Sequence, residues 1–288
     1  MTSRLEESEN WVRMSGVSRR AAIGGGAAAL GYALAAQPVS AARPPTPTDS
    51  MVAGDILFPT GDIAMSAYRA RPKGVKNPPV ILVIQEIFGV HEWIRDITRR
   101  FAAAGYYAIA PNLYQRQGDA SRIADIKTLI TDIVSKVPDA QVMADLDALV
   151  AFAGADGGNA KQLGITGFCW GGRITWLYAH HNPALKAGVA WYGRLLGQPS
   201  ALQPTHPIGV AASLKAPVLG LYGALDQGIP VADVEKMNAA LKAANAPSFI
   251  RLFPDADHGF LADYRPSYSP AAAAAGWADA LAWFKKKL

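Results

Sequence analysis

The chain of 288 residues contains a single cysteine, Cys169. That count excludes an internal disulfide and any cysteine-based metal cluster. The five histidines, at positions 91, 180, 181, 206 and 258, have neither H-x-H nor H-x-x-x-H spacing, so no metal is expected. Lys and Arg outnumber Asp and Glu by 28 to 23. The basic residues are scattered, however, and no cluster interleaves with aromatics, which argues against a nucleic-acid partner. Long apolar runs are missing too. The uncharged stretch over 21–36 is rich in Ala and Gly. It is shorter than the roughly 18 apolar residues of a membrane span, so no stable membrane anchor is expected. Nothing after residue 50 reads as an internal repeat, a low-complexity block or a second domain. Half of the residues are hydrophobic, enough for one sizeable core over residues 55–288, and a monomer is expected.

The N-terminus does not read as part of that core. Ser18-Arg19-Arg20 precedes the uncharged stretch, and Pro38 with Val39-Ser40-Ala41-Ala42 follows it. A twin arginine, a weakly hydrophobic segment and an A-x-A-like end resemble a twin-arginine (Tat) export signal. Two features depart from that pattern: Ala22-Ile23 is a poor match after the arginines, and Glu6, Glu7 and Glu9 lie upstream. A disordered Ala-Gly tail is the alternative. Residues 1–42 are read as a signal cleaved near Ala41 or Ala42. The Tat machinery would then be a partner, and the mature protein periplasmic or secreted. Residues 43–54 read as an extended, Pro-rich linker.

From there strands and helices alternate. Residues 55–58 and 63–69 read as an antiparallel hairpin. The β-branched run at 80–84 reads as a strand buried on both faces. Further strands are expected at 105–111, 163–168, 187–192, 217–223 and 248–253. Helices are expected at 93–103, about 121–136, 139–153, after 170, about 231–244 and 271–286. The fold class is α/β: a mostly parallel sheet covered by helices on both faces, with an antiparallel edge hairpin.

The central stretch is Gly167-Phe168-Cys169-Trp170-Gly171, with Gly172 behind it. It joins an apolar strand to a helix, and G-x-C-x-G is the spacing of a nucleophile elbow with cysteine in place of serine. A sharp strand-to-helix turn leaves no room for a Cβ two positions to either side. It also aims the first helical amides at the Cys169 sulfur, which favours a thiolate and can help bind an oxyanion. A lone cysteine can equally be an inert buried hydrophobe. Beyond the elbow, Asp226 follows the strand at 217–223 and His258 follows the strand at 248–253. Cysteine, aspartate and histidine thus fall in the order kept by nucleophile, acid and base in this architecture. His258 would take the thiol proton and later protonate the leaving group, while Asp226 fixes its tautomer. Asp255 and Asp257 compete for the acid's place but lie too near His258 in sequence to face its ring readily.

Five segments together resemble the dienelactone hydrolase family over residues 55–285: 85–90 (Gln85-Glu86-Ile87-Phe88-Gly89-Val90), 111–114, 167–172, 223–230 and 258–260. The resemblance implies an α/β-hydrolase fold, no cofactor, and the triad Cys169, Asp226 and His258. It also implies an oxyanion hole from the backbone amides of Trp170 and Ile87. Glu86 would be an acid beside the resting cysteine that helps switch thiol to thiolate; read from the residues alone, it is equally a solvated loop glutamate. The implied reaction is hydrolysis of a carboxylic ester or lactone, of the type carboxymethylenebutenolide plus water to maleylacetate, through an acyl-thioester on Cys169. The segment 121–156 holds Arg122 but no tyrosine, unlike better-known members that bind a lactone carboxylate with both. Arg265 is a candidate to bind such a carboxylate, or else a surface charge. Tyr114, Trp191 and Tyr192 are candidate substrate-binding residues, with core packing the other reading for Trp191 and also for Trp170. A general carboxylesterase, a thiol redox or peroxide-responsive protein, and a non-catalytic binding protein are the other functions considered.

Overall fold

A computed structural model of the protein describes residues 44–288, so the expected export signal lies outside the described residues. Eight strands form one sheet: β1 (Met51–Pro59), β2 (Ala64–Pro72), β3 (Pro79–Ile84), β4 (Tyr107–Pro111), β5 (Asn159–Phe168), β6 (Ala187–Trp191), β7 (Val218–Gly223) and β8 (Phe249–Phe253), in the order β1-β2-β4-β3-β5-β6-β7-β8. From β4 to β8 neighbouring strands pair parallel, and β1 and β2 add an antiparallel edge. The expected fold class is the observed one. Val80, Ile81, Leu82, Val83 and Ile84 of β3 are all fully buried, as a central parallel strand requires.

The helices are α1 (Glu92–Ala103), α2 (Ile126–Asp132), α3 (Asp139–Ala155), α4 (Trp170–His181), the single turn α5 (Pro207–Val210), α6 (Val231–Ala243) and α7 (Pro270–Lys287). Helix α1 buries Trp93, Ile94, Ile97 and Phe101 along one stripe, and Val142, Leu146, Leu149 and Ala153 do the same for α3. Strand geometry shows that both faces of the sheet are covered. Residues 164 and 167 of β5 point to opposite faces. A Cβ on Gly164 would meet Phe284 of α7 at 2.9 Å, and one on Gly167 would meet Thr175 of α4 at 2.8 Å. Phe101 of α1 packs on Trp277 of α7 with ring centroids 4.7 Å apart, which puts α1 and α7 in one layer. Tyr178 of α4 donates to Asp147 of α3 at 2.9 Å in the other.

Two boundaries differ from the sequence reading. The first strand starts at Met51, inside the segment read as linker. Met51 is buried against Tyr68, Ala70 and Ala102, and pairs with Pro72. The helix expected over 121–136 is broken into a 3-10 turn at 120–122, α2, and another turn at 134–136. Asp125 restarts it, its carboxylate accepting from the Thr128 amide at 2.8 Å as an N-cap.

Candidate active site

The parallel strands end along one edge, and that edge carries every residue of the expected triad. Cys169 follows β5 directly with φ 58° and ψ −112°, a left-handed conformation that non-glycine residues adopt only under constraint. The constraint is visible in its neighbours. A Cβ on Gly167 would lie 2.1 Å from the Gly171 carbonyl oxygen, and one on Gly171 would lie 2.5 Å from that of Ile84. Both glycines are therefore required by backbone-to-backbone approach, as the spacing predicts. The elbow is pinned across the sheet, because the Cys169 amide donates to the Trp191 carbonyl at 3.0 Å. The Trp170 amide opens α4 and so has no intrahelical partner. The Ile87 amide lies in the turn closed by the Glu86–Gly89 bridge.

His258 Nδ1–H donates to Asp226 Oδ2 at 2.7 Å, with both residues buried. The other carboxylate oxygen, Oδ1, accepts from the amides of Gly228 at 2.8 Å and Ile229 at 3.1 Å. Asp226 is thus fixed by its own loop while it orients the imidazole. Asp257 instead caps the backbone, accepting from the His258 amide at 2.6 Å. The acid facing the ring is Asp226. The far side of the ring is hydrogen-bonded by the Cys169 side chain. Burial alone disfavours an imidazolium, yet the negative charge of Asp226, the neighbouring Cys169 side chain and the hydrogen bonds to both outweigh it and raise His258 to about 10. Cys169 itself is buried, 2% exposed.

That shift has a consequence for stability. The folded value lies above the ordinary 6.5, so the contribution of protonated His258 is fully present below 6.5 and is lost as pH rises through about 10. The melting temperature is expected to fall across that window, and His258→Gln should lack this component. Parallel curves for the two proteins would contradict the ion pair.

Glu86 is not a solvated loop residue; it is fully buried at the end of β3. Its Oε1 accepts from Arg265 Nη2 at 2.9 Å, and its Oε2 from the Tyr264 hydroxyl at 2.5 Å and His91 Nε2 at 3.2 Å. Burial opposes its charge, but Arg265, His91 and Tyr264 together hold the carboxyl down at about 2. Arg265 is likewise buried rather than a surface charge, and its Nε also donates to the Tyr264 hydroxyl at 3.1 Å. A substrate carboxylate would have to compete with Glu86 for it. His91 and Tyr264 were not singled out in the sequence. The available signal was only that a carboxylate at a buried strand end needs donors.

The candidate pocket residues divide. Trp191 belongs to the core: it is fully buried, lies 5.9 Å from both Phe168 and Phe260, and its Nε1 donates to Thr166 at 3.1 Å. Tyr192 and His258 meet in a T-shaped arrangement with ring centroids 5.1 Å apart. Tyr114 packs against Trp170, the residue after Cys169, with ring centroids 4.9 Å apart.

A mostly parallel sheet with a strained strand-to-helix turn at Cys169, and with Asp226 and His258 on later strand ends, is the arrangement of an α/β-hydrolase. The model of the dienelactone hydrolase family matches residues 65–288. The chain belongs to that family, whose members act on ester bonds, and is a hydrolase of the dienelactone hydrolase type. It is 56% identical over 260 residues to a protein of Methylorubrum extorquens named "Putative carboxymethylenebutenolidase", covering 90% of this chain and 89% of that one. A protein of the same name from Escherichia coli O157:H7 is 56% identical over 257 residues, covering 89% and 95%. Among solved structures, a "Putative Dienelactone Hydrolase" from Klebsiella pneumoniae superposes with a TM-score of 0.82 at 56% identity, covering 83% of this chain and all of that one.

Proposed function

We propose that the protein hydrolyses carboxylic esters or lactones through an acyl-thioester on Cys169. The observation that carries this reading is the relay from Asp226 through His258 to Cys169, at a turn whose strained backbone aims the sulfur off the sheet edge. The Cys169 thiolate attacks the substrate carbonyl carbon, and the resulting oxyanion is bound by the amides of Trp170 and Ile87. As the tetrahedral intermediate collapses, His258 gives its proton to the leaving alkoxide and the thioester remains. Acylation removes the thiolate charge, one of the causes that raises His258. The imidazole is then neutral and can take a proton from water as that water attacks the thioester. The acid product leaves and the thiolate–imidazolium pair is restored. Glu86 supports this site as a fixed negative partner for Arg265.

The natural substrate could be a dienelactone-type lactone or another ester. Steady-state hydrolysis of cis- and trans-dienelactone, simple aryl esters and a neutral lactone decides between them. Turnover of at least one class is expected, and turnover of none would remove the hydrolase reading. Export through the Tat machinery to the periplasm or medium is also proposed, on the basis of Ser18-Arg19-Arg20 and the uncharged stretch that follows. The N-terminal sequence of the protein recovered from the periplasm should start near Arg43. An intact Met1 terminus would contradict it.

A further inference from the structure

We propose that the amino-terminal edge of the sheet, opposite the active site, is a docking surface for an anionic phospholipid bilayer. The contact is reversible and electrostatic, since no described helix is long and apolar enough to cross a membrane.

The lysines are scattered along the chain, and the topology gathers them. Parallel strands put their amino ends on one edge and their carboxyl ends on the other. Lys76 precedes β3, Lys161 lies near the start of β5, and Lys186 and Lys215 lead into β6 and β7. Lys242 stands in the last turn of α6, which leads into β8. Lys73 follows β2, which runs antiparallel to β4 and so ends on this edge. The last turn of α7 adds three more, at 285–287. That turn reaches the same edge, because the Gln162 side-chain amide of β5 donates to the Leu288 carbonyl. Nine of the twelve lysines of the chain thus line one edge. All of them except Lys287 are exposed.

Their charge is not cancelled locally. Lys73 and Lys215 donate to the backbone carbonyls of Asp49 and His181, at 2.9 Å and 3.1 Å. Lys287 lies 5.2 Å from the centroid of the Trp283 ring. A carbonyl or a ring accepts the contact without neutralising the ammonium. Two of the lysines placed elsewhere face an aspartate instead: Lys136 meets Asp132 at 4.0 Å and Lys236 meets Asp233 at 3.6 Å. Among the described residues, the acids on the lysine edge are Asp49, Asp147, Asp156 and the terminal carboxylate. Of these, Asp147 is shared with His181 and Asp156 with Arg69. Over the remaining described residues, Asp and Glu outnumber Lys and Arg. The molecule therefore carries its positive charge on one edge, and the active-site edge points away from it.

The shape of the patch selects the partner. Strands β2 and β8 stand six places apart in the sheet, so the lysines spread over about 29 Å at roughly 4.8 Å per strand. That is several times the Debye length of about 8 Å at physiological salt, so one small anion cannot neutralise the edge. A surface that repeats negative charge over the same distance can. Two large apolar side chains stand among the lysines. Val75 is 50% exposed between Lys73 and Lys76, and Phe249 is 44% exposed at the start of β8. The Phe249 ring packs on Trp283 with centroids 5.8 Å apart. Ammonium groups around exposed apolar and aromatic side chains suit a lipid leaflet, where charges meet headgroups and rings enter the acyl boundary. A nucleic acid would match the charge but offer the apolar groups no such boundary. Docked in this way, the active-site edge faces water.

The test is co-sedimentation of the full chain with phosphatidylcholine vesicles containing either no phosphatidylglycerol or about 30% of it, at low salt and at about 0.5 M salt. Binding is expected only with phosphatidylglycerol at low salt. The triple variant K161Q/K285Q/K286Q should lower the partition coefficient by at least about tenfold. The triple variant K127Q/K136Q/K236Q removes the same net charge from elsewhere and should change it by less than about threefold. Residues 1–43 are common to all three proteins, so binding through that segment would leave the variants equal to the parent. Equal loss in the two triple variants would show that only net charge matters and would overturn the proposal. So would unchanged binding by K161Q/K285Q/K286Q, salt-resistant binding to pure phosphatidylcholine, or capture by duplex DNA in preference to the charged vesicles.

Discussion

Cys169→Ala is expected to lower kcat/KM for any ester substrate by about 10³-fold to 10⁶-fold. The size follows from the role. Without the sulfur no acyl-enzyme can form, and only the oxyanion hole and binding remain to assist a direct attack by water. The fold should survive, because the substitution removes one small atom from a turn fixed by the glycines at 167 and 171 and by the Cys169 amide, all of which are retained. Ester assays beside far-ultraviolet circular dichroism separate the two effects. A folded variant with parental activity would show that the nucleophile is elsewhere.

The second large effect is on stability. Arg265→Ala should destabilise the protein by about 3–5 kcal/mol, because it leaves the fully buried Glu86 carboxylate without its cation. At about 2–4 °C per kcal/mol for a domain of this size, the melting temperature should drop by about 6–20 °C. Tyr264 and His91 still donate to Oε2, which limits the loss without removing it. The paired change Glu86→Gln with Arg265→Met removes both charges and should recover much of the stability while altering the site. An unchanged melting temperature in Arg265→Ala would mean that Glu86 is not charged in the folded protein.

These two predictions separate what the sequence revealed from what it hid. The elbow was legible because the turn leaves no choice: its glycines sit where any Cβ would strike backbone, so the pattern is imposed locally. Asp226 and His258 were legible because parallel strands put their carboxyl ends on one edge, and residues just past those ends must meet there. The anchoring of Glu86 was not legible. Tyr264 reaches it across 178 residues of chain and Arg265 across 179, and no short-range pattern encodes such a meeting.

Two other stretches were missed for different reasons. The hairpin strand over 55–58 was legible, but the first part of β1, 51–54, carries Gly54 and lies half exposed on an edge, so it lacked the apolar alternation by which strands are recognised. The segment after β6 gave no clear element. It is tied down by Arg173, which forks onto Asp139 at 2.7 Å through both terminal nitrogens and also donates to the Thr205 carbonyl at 2.7 Å. That clamp fastens the chain near α5 to α4, the helix that follows Cys169. It is built from three distant segments and shows no periodicity.

The central claim is that Cys169 carries the acyl group, and trapping that intermediate tests it most directly. The enzyme would be quenched with acid during turnover of p-nitrophenyl acetate, digested, and the peptide containing residue 169 examined by mass spectrometry. One acetyl group should be found on Cys169, released by hydroxylamine as a thioester is, with none on this peptide from Cys169→Ala. Full turnover with Cys169 unmodified at every quench time, or with the acetyl group on another residue whose replacement abolishes activity, would contradict it.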